Sequence, residues 1–158
     1  MKTLHDWFND YSESHQNKTN QLIHYICVPA IFFSIVGMLL SIPIDRNLVF
    51  KIFDNPIIEN WATLALFFAM IFYYKLSFKT FLKMLIFSIF CLVTNYYLAF
   101  IIPLFYTSLT IFVIAWIGQF YGHKIEGKKP SFLKDIQFLL IGPAWLLAFI
   151  YDKLNIKY

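Results

Sequence analysis

Three residue types that do chemistry sit together near the end of one apolar run. The stretch from Trp116 to Ser131 begins in apolar sequence, ends in a basic one, and carries Gln119, His123 and Glu126. On a helix these fall at i, i+4 and i+7 and share one face. A histidine and a carboxylate one turn apart can supply two ligands to a metal ion. The same residues also suit a plain helix end that meets lipid headgroups, and the spacing alone leaves both readings open. Lys128 and Lys129, just beyond, suit headgroup contact or the carboxylate of a fatty acid.

The remaining histidines narrow the choice. The chain has four: His5, His15, His24 and His123. Asn20 and His24 repeat the i, i+4 spacing, so Asn20 and Gln119 are candidates to support the ligands. His15 and His24 would lie on opposite faces of one continuous helix. They converge only if the chain turns within residues 16–20, where polar turn formers cluster. Neutral imidazoles with a carboxylate suit Fe(II), Zn or Mn and leave positions open for oxygen and substrate. Four histidines are too few for the crowded di-iron centres of membrane hydroxylases and desaturases, so one metal per chain is the ceiling. His5, ten residues before His15, reads as a surface histidine unless its segment folds back.

Other chemistries find little support. There is no glycine-rich phosphate loop and no nucleophile elbow. Cys27 and Cys91 both lie in apolar sequence and read as buried free thiols.

These residues need elements to position them, and composition says what kind. Of 158 residues, 59% are hydrophobic and 21% aromatic, while 14% are charged, against about 25% in soluble domains. Mean hydropathy is +0.63. The chain therefore reads as an all-α integral membrane protein, a helical bundle forming a single domain over residues 1–158. The polar, acid-containing start argues against a cleavable signal peptide. The net charge of +4 points to anionic lipid and orientation, with no nucleic acid partner.

Residues 2–15 form an amphipathic segment, with Leu4, Trp7, Phe8, Tyr11 and His15 on one stripe. Four membrane spans are predicted near residues 25–42, 57–76, 84–101 and 103–123. Pro29 is a kink candidate in the first, and Pro103 suits the first position of the fourth. Thr94 and Asn95 read as interhelical hydrogen-bonding residues. A last apolar segment, 138–151, is short and interrupted by Gly142-Pro143. It suits a re-entrant or interfacial helix, with a fifth span as the alternative. With four spans and both ends on one side, Arg46 and Lys51 are the only two of the 13 Lys and Arg residues on the far side. That is a positive-inside pattern, so both ends face the cytoplasm. Short length and richness in Lys, Asn, Ile and Phe suggest a bacterial inner membrane. The topology gathers His15, Asn20, His24, His123 and Glu126 in one layer at the cytoplasmic end.

Two motifs carry a family resemblance. They are Tyr11-x3-His15-x4-Asn20-x3-His24-x4-Pro29, and Trp116-x2-Gln119-x2-Gly122-His123-x2-Glu126-x3-Pro130-Ser131 with the later Gly142-Pro143. Together they resemble the membrane 2-hydroxy fatty acid dioxygenase family, known from fungal α-oxidation. The resemblance covers nearly the whole chain. It implies an iron(II) enzyme, one metal per chain, that cleaves a 2-hydroxy fatty acid with O2 to the acid one carbon shorter and CO2. The family's essential histidines correspond to His15, His24 and His123. Glu126 is then either a further ligand or a group that orients a histidine. Two other readings of the same residues are a non-enzymatic lipid carrier or scaffold and a zinc-dependent lipid hydrolase.

Overall fold

The structure, a computed structural model, describes residues 2–13, 15–44, 55–127 and 132–153, with side chains in the last segment from Phe138 to Phe149. These residues form six helices: α1 Leu4–Ser12, α2 Lys18–Leu40, α3 Trp61–Leu76, α4 Phe78–Leu98, α5 Leu104–Glu126 and α6 Phe132–Lys153. No strand occurs among them. The fold is all-α, as composition and hydropathy predict. Lys128 and Lys129 lie outside the described residues.

Each boundary has a local cause. The α1 helix starts at a capping box, in which Thr3 Oγ1 accepts from Asp6 N and the Asp6 carboxylate accepts from Thr3 N. Asn17 caps α2 by accepting from the N–H groups of Thr19 and Asn20. The turn expected within residues 16–20 is therefore completed before Lys18, and α2 starts seven residues before the predicted span. It runs on through Pro29. Asn60 caps α3 through Thr63 N, so residues 57–60 of the predicted second span form a turn rather than helix. Ser77 is extended, with φ −169° and ψ 133°, and it alone separates α3 from α4. Lys79 and Lys83 lie on the first turns of α4, before the predicted third span at residue 84. Pro103 is the N-cap of α5, one position earlier than predicted. The expected break at Gly142-Pro143 does not occur, and α6 is continuous through it. Neighbouring helices tolerate such a proline when they hold the flanking turns, and α6 packs on α1, α2 and α4.

Among the described residues, three helices, α2, α4 and α5, are long and apolar enough to cross a membrane. The α3 helix is apolar but has 16 residues, about 24 Å at 1.5 Å per residue, against a hydrocarbon core of about 30 Å. Large side chains such as Phe67, Phe68, Ile86, Phe90, Ile101 and Tyr106 are exposed on the outer faces, an apolar surface that suits lipid better than water.

The bundle is organised around α2. Its most extensive partner is α5, and it also packs on α3, α4 and α6. Asn20 meets Gly122 and Cys27 meets Gly118, while Gly37 meets Ser108, so the two helices run antiparallel. Phe32, Val36, Met70, Tyr73, Met84, Cys91 and Ala144 form the apolar core. Two polar ties cross it. Asn95 Nδ2 donates to Phe33 O at 3.1 Å, the interhelical role read from sequence, and Tyr73 Oη donates to Leu140 O at 2.7 Å. In apolar surroundings such bonds fix register.

Candidate metal centre

His24 lies on the first half of α2, His123 on the last turn of α5, and His15 on the link between α1 and α2. The antiparallel pairing sets the start of α2 beside the end of α5, and the capped turn at Asn17 returns His15 to them. All three side chains are buried, with relative exposures of 2% for His15, 3% for His24 and 8% for His123. Ring centroids are 4.4 Å apart for His15–His24, 4.9 Å for His24–His123 and 5.2 Å for His15–His123. One ring nitrogen from each lies within 4.8 Å of the other two.

Two tautomers follow from the hydrogen bonds. His15 Nδ1 lies 2.6 Å from Tyr11 O, and His24 Nδ1 lies 2.9 Å from Asn20 O. A carbonyl oxygen only accepts, so each neutral ring must carry its proton on Nδ1. The lone pair is left on Nε2, as in metal-bound histidines whose second nitrogen is anchored to a carbonyl. Burial lowers the His15 pKa from 6.5 to about 4, outweighing the Tyr11 hydrogen bond that raises it, so the ring is neutral at physiological pH. Tyr11 also stacks on His15, with centroids 4.0 Å apart and planes 8° from parallel.

Glycine permits the close approach. A Cβ on Gly122 would collide with Asn20 Oδ1 and lie 3.4 Å from His24 Cε1. Gly142 does the same for α6, where a Cβ would lie 3.1 Å from Tyr11 Oη and 3.3 Å from Val28 Cγ1. The α6 helix closes the centre from one side. Phe138 and Trp145 pack on Tyr11, and Trp145 also approaches His15, with centroids 6.2 Å apart. A cavity of about 20 Å³ adjoins the three rings, bounded by Gln119, Trp116, Val28, Ile31 and Phe138 among others. That is room for about one water-sized molecule.

The structure brings His15, His24 and His123 together and sets Asn20 and Gln119 beside them. It does not bring Glu126 into the group of ring nitrogens. Its Oε1 accepts from Gln16 N at 2.9 Å, and its Oε2 accepts from Asn17 N at 2.9 Å and Asn20 Nδ2 at 3.0 Å. His5 is exposed and 3.0 Å from Asn9 Nδ2, away from the cluster. Sequence reasoning placed nothing from α6 at the centre. The available signal was Gly142 beside a proline in an otherwise apolar run.

The donor set fits a single metal ion. Three nitrogens about 2.1 Å from one metal lie about 3.4–3.6 Å apart, so from separations within 4.8 Å each ring must move inward by up to about 0.8 Å. Fold and site together define a helical, membrane-type protein with a buried three-histidine centre suited to one metal. The chain belongs to the Mpo1-like family, described as 2-hydroxy-palmitic acid dioxygenase Mpo1-like, which residues 1–154 match. No curated protein and no solved structure matches it.

Proposed function

We propose that the protein is an iron(II)-dependent dioxygenase that converts a 2-hydroxy fatty acid and O2 into the fatty acid one carbon shorter, CO2 and water. The observation that carries this reading is the trio of buried, converging imidazoles in a chain of the Mpo1-like family. Three imidazoles by themselves suit zinc as well as iron. The dioxygenase description of the family favours iron(II).

The reaction balances without a further reductant. The substrate R–CH(OH)–COOH loses four electrons as its C1–C2 bond breaks, and one O2 takes them. C1 leaves as CO2, C2 becomes the new carboxyl carbon, and one water forms. No nicotinamide or flavin is needed. Bound iron would supply Lewis acidity and a common template for O2 and the substrate oxygens.

The chain's own residues have separate tasks. His15, His24 and His123 would hold the metal through neutral nitrogens, and the Tyr11 and Asn20 carbonyls keep the His15 and His24 rings in the tautomer that leaves Nε2 unprotonated. Gln119 lies one helical turn from His123 and borders the cavity, within reach of a ligand oxygen there. Val28, Ile31 and Phe138 border the same cavity and give the alkyl chain an apolar path. At about 20 Å³ the cavity is too small for an acyl chain, so the helices around it must part to admit one. We place the centre on the cytoplasmic side of a bacterial inner membrane, on the Lys and Arg distribution. Lys128 and Lys129 are the cations we assign to attracting the substrate carboxylate, on their charge alone.

The test is metal analysis of protein purified without oxygen, followed by turnover of 2-hydroxypalmitate. About one iron per chain is expected, with the 15-carbon acid and CO2 formed only when O2 is present. The His123→Ala variant should lose both metal and activity. Full activity in iron-free protein, or turnover without O2, overturns the proposal.

A further inference from the structure

His15 is the one histidine of the three that no helix carries, and this makes its placement a separate structural problem. His24 and His123 are fixed by the α2 and α5 backbones. His15 lies on the short link between α1 and α2, where its backbone tie to α1 is a turn bond from His15 N to Ser12 O at 3.0 Å. The described contacts hold this link from three directions. The His15 ring is bonded to Tyr11 O on the α1 side. Its carbonyl accepts from Gln21 Nε2 of α2 at 2.7 Å. The next two backbone N–H groups, of Gln16 and Asn17, both donate to the Glu126 carboxylate at the end of α5.

The position of Glu126 is otherwise hard to explain. A carboxylate in the last turn of a helix faces the negative end of that helix's dipole, which disfavours it. The end of α5 lies against the start of α2, where N–H groups and the positive end of another dipole favour an anion. Glu126 is unfavourably placed on its own helix and favourably placed on its neighbour. Both its oxygens are engaged there, and Asn20 Nδ2 provides the third bond. Asn20 also carries the carbonyl that accepts from His24 Nδ1. One carboxylate thus ties together the link carrying His15, the residue orienting His24, and the helix carrying His123.

We propose that Glu126 is a positioning residue, a clasp that fixes His15 relative to the other two histidines, and not a metal ligand. The inference rests on the metal-centre reading but concerns a contact formed before any metal binds. Without the clasp, the link loses the two backbone hydrogen bonds that tie it to the end of α5, and the third imidazole loses its fixed distance from the pair.

The experiment compares wild-type protein with Glu126→Gln and Glu126→Asp, each prepared metal-free and then titrated with Fe(II) or Co(II). Glutamine keeps the shape but presents one acceptor and a clashing amide. Aspartate keeps the charge but falls short by one methylene. The clasp predicts a lower unfolding midpoint for metal-free Glu126→Gln, and a metal affinity reduced about 10–100-fold, the usual cost of losing a group that supports a ligand. At saturating Co(II), its absorption spectrum and number of nitrogen neighbours should match wild type. Glu126→Asp should recover part of the affinity. An unchanged metal-free midpoint, with a coordination shell that loses one oxygen, would overturn the inference and make Glu126 a ligand. Lower stability with unchanged affinity would also overturn it, because the contact would then be purely structural. If wild-type protein binds no metal at all, the metal-centre reading has failed, while the metal-free midpoints still report on the contact itself.

Discussion

Replacing Gly122 with alanine tests whether the α2–α5 approach sets the geometry of the centre. The added methyl would collide with Asn20 Oδ1 and lie 3.4 Å from His24 Cε1. Asn20 is fully buried and its amide is already bonded to Glu126, so it cannot simply rotate away. Either α2 and α5 separate at this level or the Asn20–Glu126 bond breaks. Alanine should gain up to about 1 kcal/mol in helix propensity. Overpacking a close contact costs about 1–3 kcal/mol, and losing a hydrogen bond to a charged group costs about 1.5–3 kcal/mol. The net expectation is a destabilisation of about 0.5–2 kcal/mol, the cost of either route less the propensity gain. His24 and His123 are displaced together, so metal affinity should fall about tenfold, equivalent to about 1.4 kcal/mol. The measurements are thermal unfolding of metal-free protein in detergent and competitive metal titration. Gly118→Ala is the control, because its Cβ would meet the Cys27 Sγ at 2.7 Å, one turn from the centre. It should cost stability with little change in affinity. A Gly122→Ala protein with wild-type midpoint and affinity would refute the close-packing argument.

Other perturbations follow from single contacts. The His15 pKa is lowered from 6.5 to about 4 by burial, so between those values the unfolded chain binds a proton that the folded chain does not. Metal-free protein should therefore lose stability as pH falls from about 6.5 to about 4. His24, His123 and Glu126 face the same ring, so the His15→Gln variant is the needed comparison, and an equally steep pH profile for it would assign the effect elsewhere. Tyr73→Phe removes the hydrogen bond to Leu140 O and should cost about 1 kcal/mol, measured by denaturation. No loss would mean that α6 is held by apolar packing alone. Thr3→Ala breaks the α1 capping box and should cost about 1 kcal/mol. Faster proteolysis near the N-terminus is the readout, and unchanged cleavage would argue against the cap.

The sequence determined the kind of protein and the identity of the candidate ligands. Hydropathy and aromatic content are properties of composition, so an all-α membrane-type fold could be read directly. Histidine is scarce in this chain, which made His15, His24 and His123 conspicuous. The turn formers within residues 16–20 showed how His15 and His24 could meet. Helix boundaries were harder, because apolar residues suit a helix, its neighbouring turn and the lipid alike. Asn60 and Ser77 set the ends of α3 through local hydrogen bonding and backbone conformation, which hydropathy does not record.

Only the tertiary structure decided what Glu126 touches. Its spacing from His123 puts both on one face of α5, and that spacing suits a ligand pair. The neighbouring N-terminus of α2 instead offers that carboxylate two backbone donors and one amide donor. Those donors are more than 100 residues away in the chain, and no local pattern encodes such a pairing. Gly122 and Gly142 belong to the same class, since the lack of a side chain matters only once another helix lies against it. Sequence gave the three imidazoles their chemistry, and the antiparallel packing of α2 on α5 brought their nitrogens within reach of one ion.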